Sequence, residues 1–120
     1  MLDIECHCGK LRLRANALPD SLTSCNCTIC RRLGALWAYY DAADVEIAHA
    51  ADAENIYRWG EGTMTYHRCA GCGCTTHYTA REDDGTDLVA VNCRMAEPAQ
   101  IETVPVREFD GLETWKYLDE

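Results

Sequence analysis

The chain has 120 residues, of which 48% are hydrophobic, and this length suits one domain with a modest core. Its net charge of -9 and isoelectric point near 4.8 argue against nucleic-acid binding, because an acidic surface repels the phosphate backbone. No apolar run approaches the length of a membrane span, so the composition also argues against a membrane protein.

Period-2 alternation of apolar and polar residues predicts short strands along most of the chain. In chain order, the predicted strands cover residues 1–6, 10–14, 36–40, 45–47, 55–59, 63–67, 75–79, 88–92 and 103–108. Thr28 is suited to cap a short helix over residues 29–33, and a second helical turn could follow Pro98. The pattern predicts a mostly β, antiparallel fold that forms a single domain over residues 1–120.

Cysteine is used far above its ordinary frequency, with nine copies in the chain. The count is odd, and the N-terminus lacks the positive segment and apolar run of a secretory signal. We therefore expect a cytoplasmic protein, because closely spaced cysteines in a reducing compartment are more often metal ligands than disulfide partners.

Seven of the cysteines fall into three clusters, CHC, CNCTIC and CAGC, and Cys74 and Cys93 stay outside them. Close cysteine pairs beside a glycine let the chain turn sharply enough to direct two sulfurs at one ion. Thiolates of this kind favour zinc. An iron–sulfur cluster is the competing interpretation, although the spacing matches neither familiar ferredoxin pattern.

The seven clustered cysteines divide naturally into four and three. The outer pairs can meet across neighbouring strands and close a structural site of four thiolates, formed by Cys6, Cys8, Cys69 and Cys72. The middle cluster would then offer Cys25, Cys27 and Cys30 to a second zinc with one open position, which is typical of catalytic zinc. Two alternatives stay open: only one metal binds, or the second site is completed by Cys74, Cys93, His67 or His77.

Four segments, CHCGKLRLR, CNCTICRRLGA, HRCAGCGCTTH and VAVNCR, resemble in order and separation the glutathione-dependent formaldehyde-activating (GFA) family, which also includes centromere protein V. The resemblance implies a β-tent, in which two small antiparallel sheets surround a structural zinc held by Cys6, Cys8, Cys69 and Cys72. It implies a catalytic zinc at Cys25, Cys27 and Cys30. The family's described activity joins glutathione and formaldehyde into S-hydroxymethylglutathione, formally by a carbon–sulfur lyase.

An open thiolate-zinc site could hold a small thiol in its thiolate form beside an aldehyde carbon. The predicted function is therefore a zinc-dependent carbon–sulfur lyase-type enzyme that handles a thiol–aldehyde adduct, with glutathione and formaldehyde or a related thiol as substrates. The alternative is a non-catalytic zinc-binding module that binds a small thiol or a protein partner. The chain carries no basic segment suited to chromatin, so we expect a small-molecule role.

Four further residues are candidates for contact with a substrate. Arg31 and Arg32 follow the middle cluster directly, where a guanidinium could bind a substrate carboxylate; ion pairs with the acidic surface are the alternative. Trp37 lies in a predicted strand whose aromatic face could line a cleft or pack in the core. Asn92, in VAVNCR, could contact a ligand or tie strands together.

Overall fold

In a computed structural model, the described part of the chain folds into two β-sheets, two short α-helices and two single-turn 3-10 helices. The structure describes residues 1–49, 52–60, 62–82 and 84–120. Its strands are β1 (Leu2–Glu5), β2 (Leu11–Ala15), β3 (Leu22–Cys25), β4 (Trp37–Asp41), β5 (Val45–His49), β6 (Glu54–Trp59), β7 (Met64–Cys69), β8 (Thr75–Arg81), β9 (Asp87–Asn92), β10 (Val106–Asp110) and β11 (Lys116–Tyr117). The α-helices are α1 (Cys30–Leu33) and α2 (Pro98–Ile101). With four residues each, the α-helices in these ranges are too short to cross a membrane.

The strands form a three-stranded sheet and an eight-stranded sheet. The small sheet has the order β1-β2-β5, and the large sheet has the order β11-β10-β3-β4-β9-β8-β7-β6. Neighbouring strands run antiparallel except for β3 and β10, which pair in parallel. This parallel pair joins the first third of the chain to its last quarter. Parallel strands need a long connection, and here the chain between β3 and β10 runs through strands β4 to β9.

The two faces of the large sheet have different partners because side chains alternate along each strand. On β4 and β9, Ala38, Val89 and Val91 face the small sheet and form one hydrophobic cluster with its leucines. Trp37 and Ala90 face the other way and belong to a second cluster, which also contains tyrosines and a cysteine. The large sheet therefore separates the structural core from an aromatic face.

The predicted mostly β fold with one or two helical turns is confirmed. Strand β3 was not predicted, because a strand flanked by β4 and β10 and buried at both Leu22 and Thr23 shows no alternation. The predicted cap at Thr28 is wrong. Helix α1 begins at Cys30, Ile29 occupies the capping position with helical backbone angles, and no side chain caps the helix.

Candidate functional site

Four cysteines meet where the β1–β2 turn approaches the β7–β8 turn. In each turn a glycine with left-handed backbone follows the second cysteine directly; φ is 81° at Gly9 and 80° at Gly73. Such angles favour glycine and let both turns fold back sharply. The Sγ atoms of Cys6, Cys8, Cys69 and Cys72, hereafter the four-cysteine group, all lie within 4.8 Å of one another.

Backbone amides surround the sulfurs of the four-cysteine group. The amide of Leu11 donates to Cys6 Sγ at 3.4 Å, and the amide of Cys72 donates to Cys69 Sγ at 3.5 Å. Amide donors, first among them that of Cys74, lower the pKa of the Cys72 thiol to about 5. Amide donors stabilise sulfur as thiolate, which is the form that binds a metal ion.

A second group of three cysteines lies at the junction of β3 and α1. Cys25 ends the strand, Cys27 lies in the connection, and Cys30 begins the helix, with their Sγ atoms within 4.8 Å of one another. We call them the three-cysteine group. The amide of Cys30 donates to Cys27 Sγ at 3.4 Å, and the indole Nε1 of Trp37 donates to Cys30 Sγ at 3.3 Å. Burial raises the pKa of the Cys30 thiol, and the indole opposes that effect.

The other candidate ligands lie away from the three-cysteine group within the described part of the chain. Cys74 packs beside the four-cysteine group, and Cys93 is buried in the core between the sheets. His67 and His77 stack with ring centroids 4.2 Å apart and planes 5° from parallel, and His67 is hydrogen-bonded to Glu54. The histidines alternate with pocket-lining tyrosines on β7 and β8, so they face the opposite side of the sheet.

The three-cysteine group opens into a pocket of about 480 Å³. Strands β4, β6, β7 and β8 contribute aromatic residues to its lining, namely Tyr39, Trp59, Tyr66 and Tyr78. The C-terminal segment that contains β10 and β11 contributes Phe109, Trp115 and Tyr117. Among the described residues that line this pocket, none carries a formal charge apart from the ionisable cysteines and tyrosines.

Tyr66 places a hydroxyl group in this pocket. The residue is only 4% exposed, and its hydroxyl oxygen has no hydrogen-bond partner among the described residues. Burial raises the pKa of Tyr66, and the neighbouring Cys30 and Cys27 raise it further. The hydroxyl therefore stays protonated and can donate a hydrogen bond. Because buried polar groups normally have a hydrogen-bond partner, a ligand in the pocket could supply the acceptor.

The segment from Phe109 to Tyr117 is tied to the three-cysteine group through Asn26. The Asn26 side chain donates to Asp110 Oδ1 at 3.0 Å and accepts from the Leu112 amide at 3.0 Å. Gly111 then passes so close that an added β-carbon would lie 2.7 Å from Cys25 Sγ. The close approach leaves room only for glycine and places the turn directly against the sulfurs.

None of the four residues predicted to contact a substrate is among the residues that line the pocket. Arg31 and Arg32 are exposed on α1 and are not among its lining residues; the Arg32 guanidinium donates to the Thr28 carbonyl at 2.6 Å. Trp37 is buried behind the cysteines and contacts Cys30. Asn92 is buried and ties strands together, because its side chain donates to the Thr75 carbonyl and accepts from the Leu36 and Arg94 amides.

Several site residues escaped prediction. Tyr66 lies in the predicted strand over residues 63–67, where an aromatic side chain could line a cleft or pack in the core, and the C-terminal aromatics show no link to the cysteines in sequence. The Asp110-Gly111 pair that follows a strand is a turn signal, and a turn carrying Trp115 was the available clue. Asn26, between two cysteines of the middle cluster, had no distinguishing signal.

The sequence pattern of the family described as glutathione-dependent formaldehyde-activating enzyme matches residues 1–108 of the chain. The chain belongs to this family. Among solved structures, this GFA family member is similar to the crystal structure of a Rhodobacter sphaeroides protein at 25% identity and a TM-score of 0.69. That likeness covers 88% of this chain and 99% of the other chain. A search of curated proteins found no match.

The resemblance inferred from the cysteine motifs is thereby confirmed, and both cysteine groups of this GFA family member could hold a metal ion. The donor set of these two groups fits a soft or borderline metal, because all seven of their ligand atoms are sulfur and amide or indole donors already face the sulfurs. The two groups differ in ligand number and in surroundings. The four-cysteine group offers the four ligands of a tetrahedral metal site, whereas the three-cysteine group offers three and lines a pocket.

Proposed function

We propose that this GFA family member is a zinc-dependent carbon–sulfur lyase-type enzyme that forms or cleaves a thiol–aldehyde adduct. The observation that carries the proposal is the three-cysteine group at the base of the pocket. Within the described residues it has no fourth cysteine, histidine or carboxylate ligand, and it lies beside the unpaired Tyr66 hydroxyl. The family description supports glutathione and formaldehyde as the first reactants to test.

Two zinc ions would be held by different residues. A structural ion would take Cys6, Cys8, Cys69 and Cys72, and a catalytic ion would take Cys25, Cys27 and Cys30. When bound at the second position, zinc would lower the pKa of an incoming thiol and keep it as the nucleophilic thiolate. A reducing compartment such as the cytoplasm would keep all these cysteines available to metal.

The residues of the chain would then orient the aldehyde and assist proton transfer to its carbonyl oxygen. As the substrate sulfur forms a bond to the carbonyl carbon, the carbonyl oxygen gains charge, and the Tyr66 hydroxyl is placed to donate a hydrogen bond to it. The oxygen ends as a hydroxyl group, having gained the proton that the thiol gave up. Cleavage runs the same steps backwards: the adduct hydroxyl gives up its proton, the departing sulfur regains one as the thiol, and Tyr66 keeps its hydrogen bond to the oxygen as the carbonyl re-forms.

The aromatic walls would keep water from the reacting atoms. A pocket formed by tyrosine, tryptophan and phenylalanine side chains lowers the local dielectric, and each hydrogen bond inside it becomes electrostatically stronger. Tyr39 and Tyr78 share this wall, and burial raises the pKa of Tyr39 to about 12. These hydroxyls stay neutral and add no charge that would repel a thiolate.

Exchange spectroscopy by proton NMR tests the proposal, using zinc-loaded protein, formaldehyde and two thiols, glutathione and 2-phenylethanethiol. We expect the wild type to speed exchange between free thiol and adduct, and Tyr66→Phe to slow it about 10- to 100-fold with zinc retained. Tyr40→Phe is the matched control, because that hydroxyl bonds to the Ala17 carbonyl outside the pocket. Wild-type protein that accelerates neither thiol contradicts the proposal.

A further inference from the structure

The pocket at the three-cysteine group suits a ligand whose main part is uncharged. Its described lining holds seven aromatic side chains together with Met64 and Leu112, and no arginine, lysine, histidine, aspartate or glutamate. Its volume of about 480 Å³ lies within the range of small-molecule sites. Aromatic and aliphatic walls stabilise apolar ligand surface and give a carboxylate no partner.

Glutathione has the wrong charge for such a lining. At neutral pH the tripeptide carries two carboxylates and one ammonium, and a buried charge requires a paired partner. Arg31 and Arg32, which directly follow the three-cysteine group, are exposed on α1 and do not line the pocket. Arg107 stacks on the Tyr117 ring at 3.9 Å, but it is not a lining residue and its guanidinium is paired with Asp119. The net charge of -9 adds repulsion toward an anionic thiol.

One wall of the pocket comes from residues that the family pattern does not cover. The match ends at residue 108, whereas Phe109, Leu112, Trp115 and Tyr117 all lie beyond it and line the pocket. Edge-to-face contacts hold this wall together, with Phe109 5.2 Å from Trp115 and 4.9 Å from Tyr117 between ring centroids. The family match therefore gives no expectation for the residues that form this wall.

We propose that the pocket selects a thiol with an uncharged aromatic body, such as an arylalkyl thiol, in place of glutathione. This rests on the proposed function for the chemistry at the sulfur. The arylalkyl thiol adds across the carbonyl: its sulfur bonds to the carbon, its proton passes to the oxygen, and a hydroxyalkyl thioether results. The aromatic ring of the thiol contacts the aromatic side chains that line the pocket, Trp115 among them.

Calorimetric titration of the zinc-loaded protein tests this selection with three probes: 2-phenylethanethiol, 2-phenylethanol and glutathione. We expect 2-phenylethanethiol to bind at least about tenfold more tightly than glutathione, a difference that one well-placed aromatic contact and one unpaired carboxylate can supply. Trp115→Ala should weaken 2-phenylethanethiol about tenfold. Leu118→Ala is its matched control, an exposed apolar residue of the same segment outside the pocket.

A second variant tests the charge argument without removing an aromatic wall. Leu112 is 55% exposed, so Leu112→Arg should fold and place a cation at the pocket. We expect it to strengthen glutathione binding about tenfold and to weaken 2-phenylethanethiol. Unchanged affinity for both thiols in Leu112→Arg overturns the inference.

The three probes separate this inference from the proposed function. Glutathione binding as tight as that of 2-phenylethanethiol, or tighter, overturns the inference and supports thiol chemistry at the site. If 2-phenylethanol binds as tightly as its thiol and glutathione does not bind, aromatic selection is supported and the thiol chemistry is contradicted. Failure of all three probes to bind overturns both.

Discussion

The indole of Trp37 links the sheet to the three-cysteine group. Trp37 is 1% exposed, packs edge-on against Tyr78 at a centroid distance of 4.8 Å, and donates its N–H to Cys30 Sγ at 3.3 Å. The same side chain therefore belongs to the core and stabilises negative charge on a candidate ligand. Removing a group that hydrogen-bonds a metal ligand commonly lowers metal affinity about 10- to 100-fold.

Trp37→Phe removes that donor and keeps an aromatic ring in place. The Cys30 thiol loses an interaction that lowers its pKa, so it should hold a proton more strongly and bind metal less tightly. We expect zinc affinity at the three-cysteine group to fall about 10- to 100-fold, measured by competition with a chromophoric chelator. Affinity at the four-cysteine group should not change.

Trp59→Phe is the matched control for this change. Trp59 lines the same pocket but is 44% exposed, and the indole bond to Cys30 is made by Trp37 instead. Its substitution should leave zinc affinity at both groups unchanged. A loss of affinity as large as that of Trp37→Phe would show that the indole hydrogen bond has no special role.

Above the single residue, the pocket depends on how β10 and β11 are attached. Strand β10 pairs in parallel with β3, and this places Phe109 opposite Cys25 in the register. The turn that follows is tied to the cysteine loop by the Asn26 side chain, while Asp110 also accepts from the Thr114 hydroxyl. The C-terminal wall of the pocket is therefore positioned by the loop that carries the candidate ligands.

Asn26→Ala should loosen this wall and leave the sheets intact. The Leu112 amide loses its acceptor and Asp110 loses a donor, so the segment over residues 110–115 should exchange its amide hydrogens about tenfold faster. Hydrogen exchange followed by mass spectrometry measures this. Binding of any ligand in the pocket should weaken in parallel.

Asn16→Ala provides a comparable change elsewhere. Asn16 donates to Asp44 Oδ1 at 3.1 Å, nearly the same bond as that from Asn26 to Asp110, and neither Asn16 nor Asp44 lines the pocket. Exchange over residues 110–115 should not change in this variant. If Asn26→Ala also leaves that exchange unchanged, the segment is held by β10 and β11 alone.

In the whole molecule the two cysteine groups have different structural positions. The four-cysteine group joins the hairpin of the small sheet to the β7–β8 hairpin of the large sheet, so a metal there would link both sheets. The three-cysteine group lies on the aromatic face, away from the core between the sheets. Loss of metal should therefore affect folding at the first group and function at the second.

Cys72→Ser and Cys27→Ser compare these roles directly. We expect Cys72→Ser to lose on the order of 5 kcal/mol of folding stability, similar to the net stability of a small domain, because metal binding and folding are coupled there. Cys27→Ser should keep the fold and lose the metal of the three-cysteine group. Thermal unfolding and metal content per chain measure both outcomes.

Cys74→Ser controls for the loss of a thiol near the same turn. Cys74 packs beside the four-cysteine group without belonging to it, so its substitution should preserve both the metal content and the unfolding temperature. Equal destabilisation by Cys72→Ser and Cys27→Ser would contradict the division into a structural and a functional group.

Local sequence was enough to predict the mostly β fold and the partition of the cysteines. Alternation such as that of Leu11–Ala15 reports directly on which side chains are buried, and the observed burial follows it. Cysteine spacing is equally local, because two ligands in one turn are brought together by a few backbone angles. The pairing of the outer clusters followed from counting ligands and from the family motifs.

Tertiary structure decided the nature of the pocket. Asn26 and Asp110 are 84 positions apart, and their contact exists because β3 and β10 are neighbours, which no short-range pattern indicates. Tyr66 lines the pocket, and the stacked His67 and His77 lie on the opposite face, because strands β7 and β8 pair in this register. Contacts between distant residues depend on strand order and register, and these are set by the packing of the whole chain.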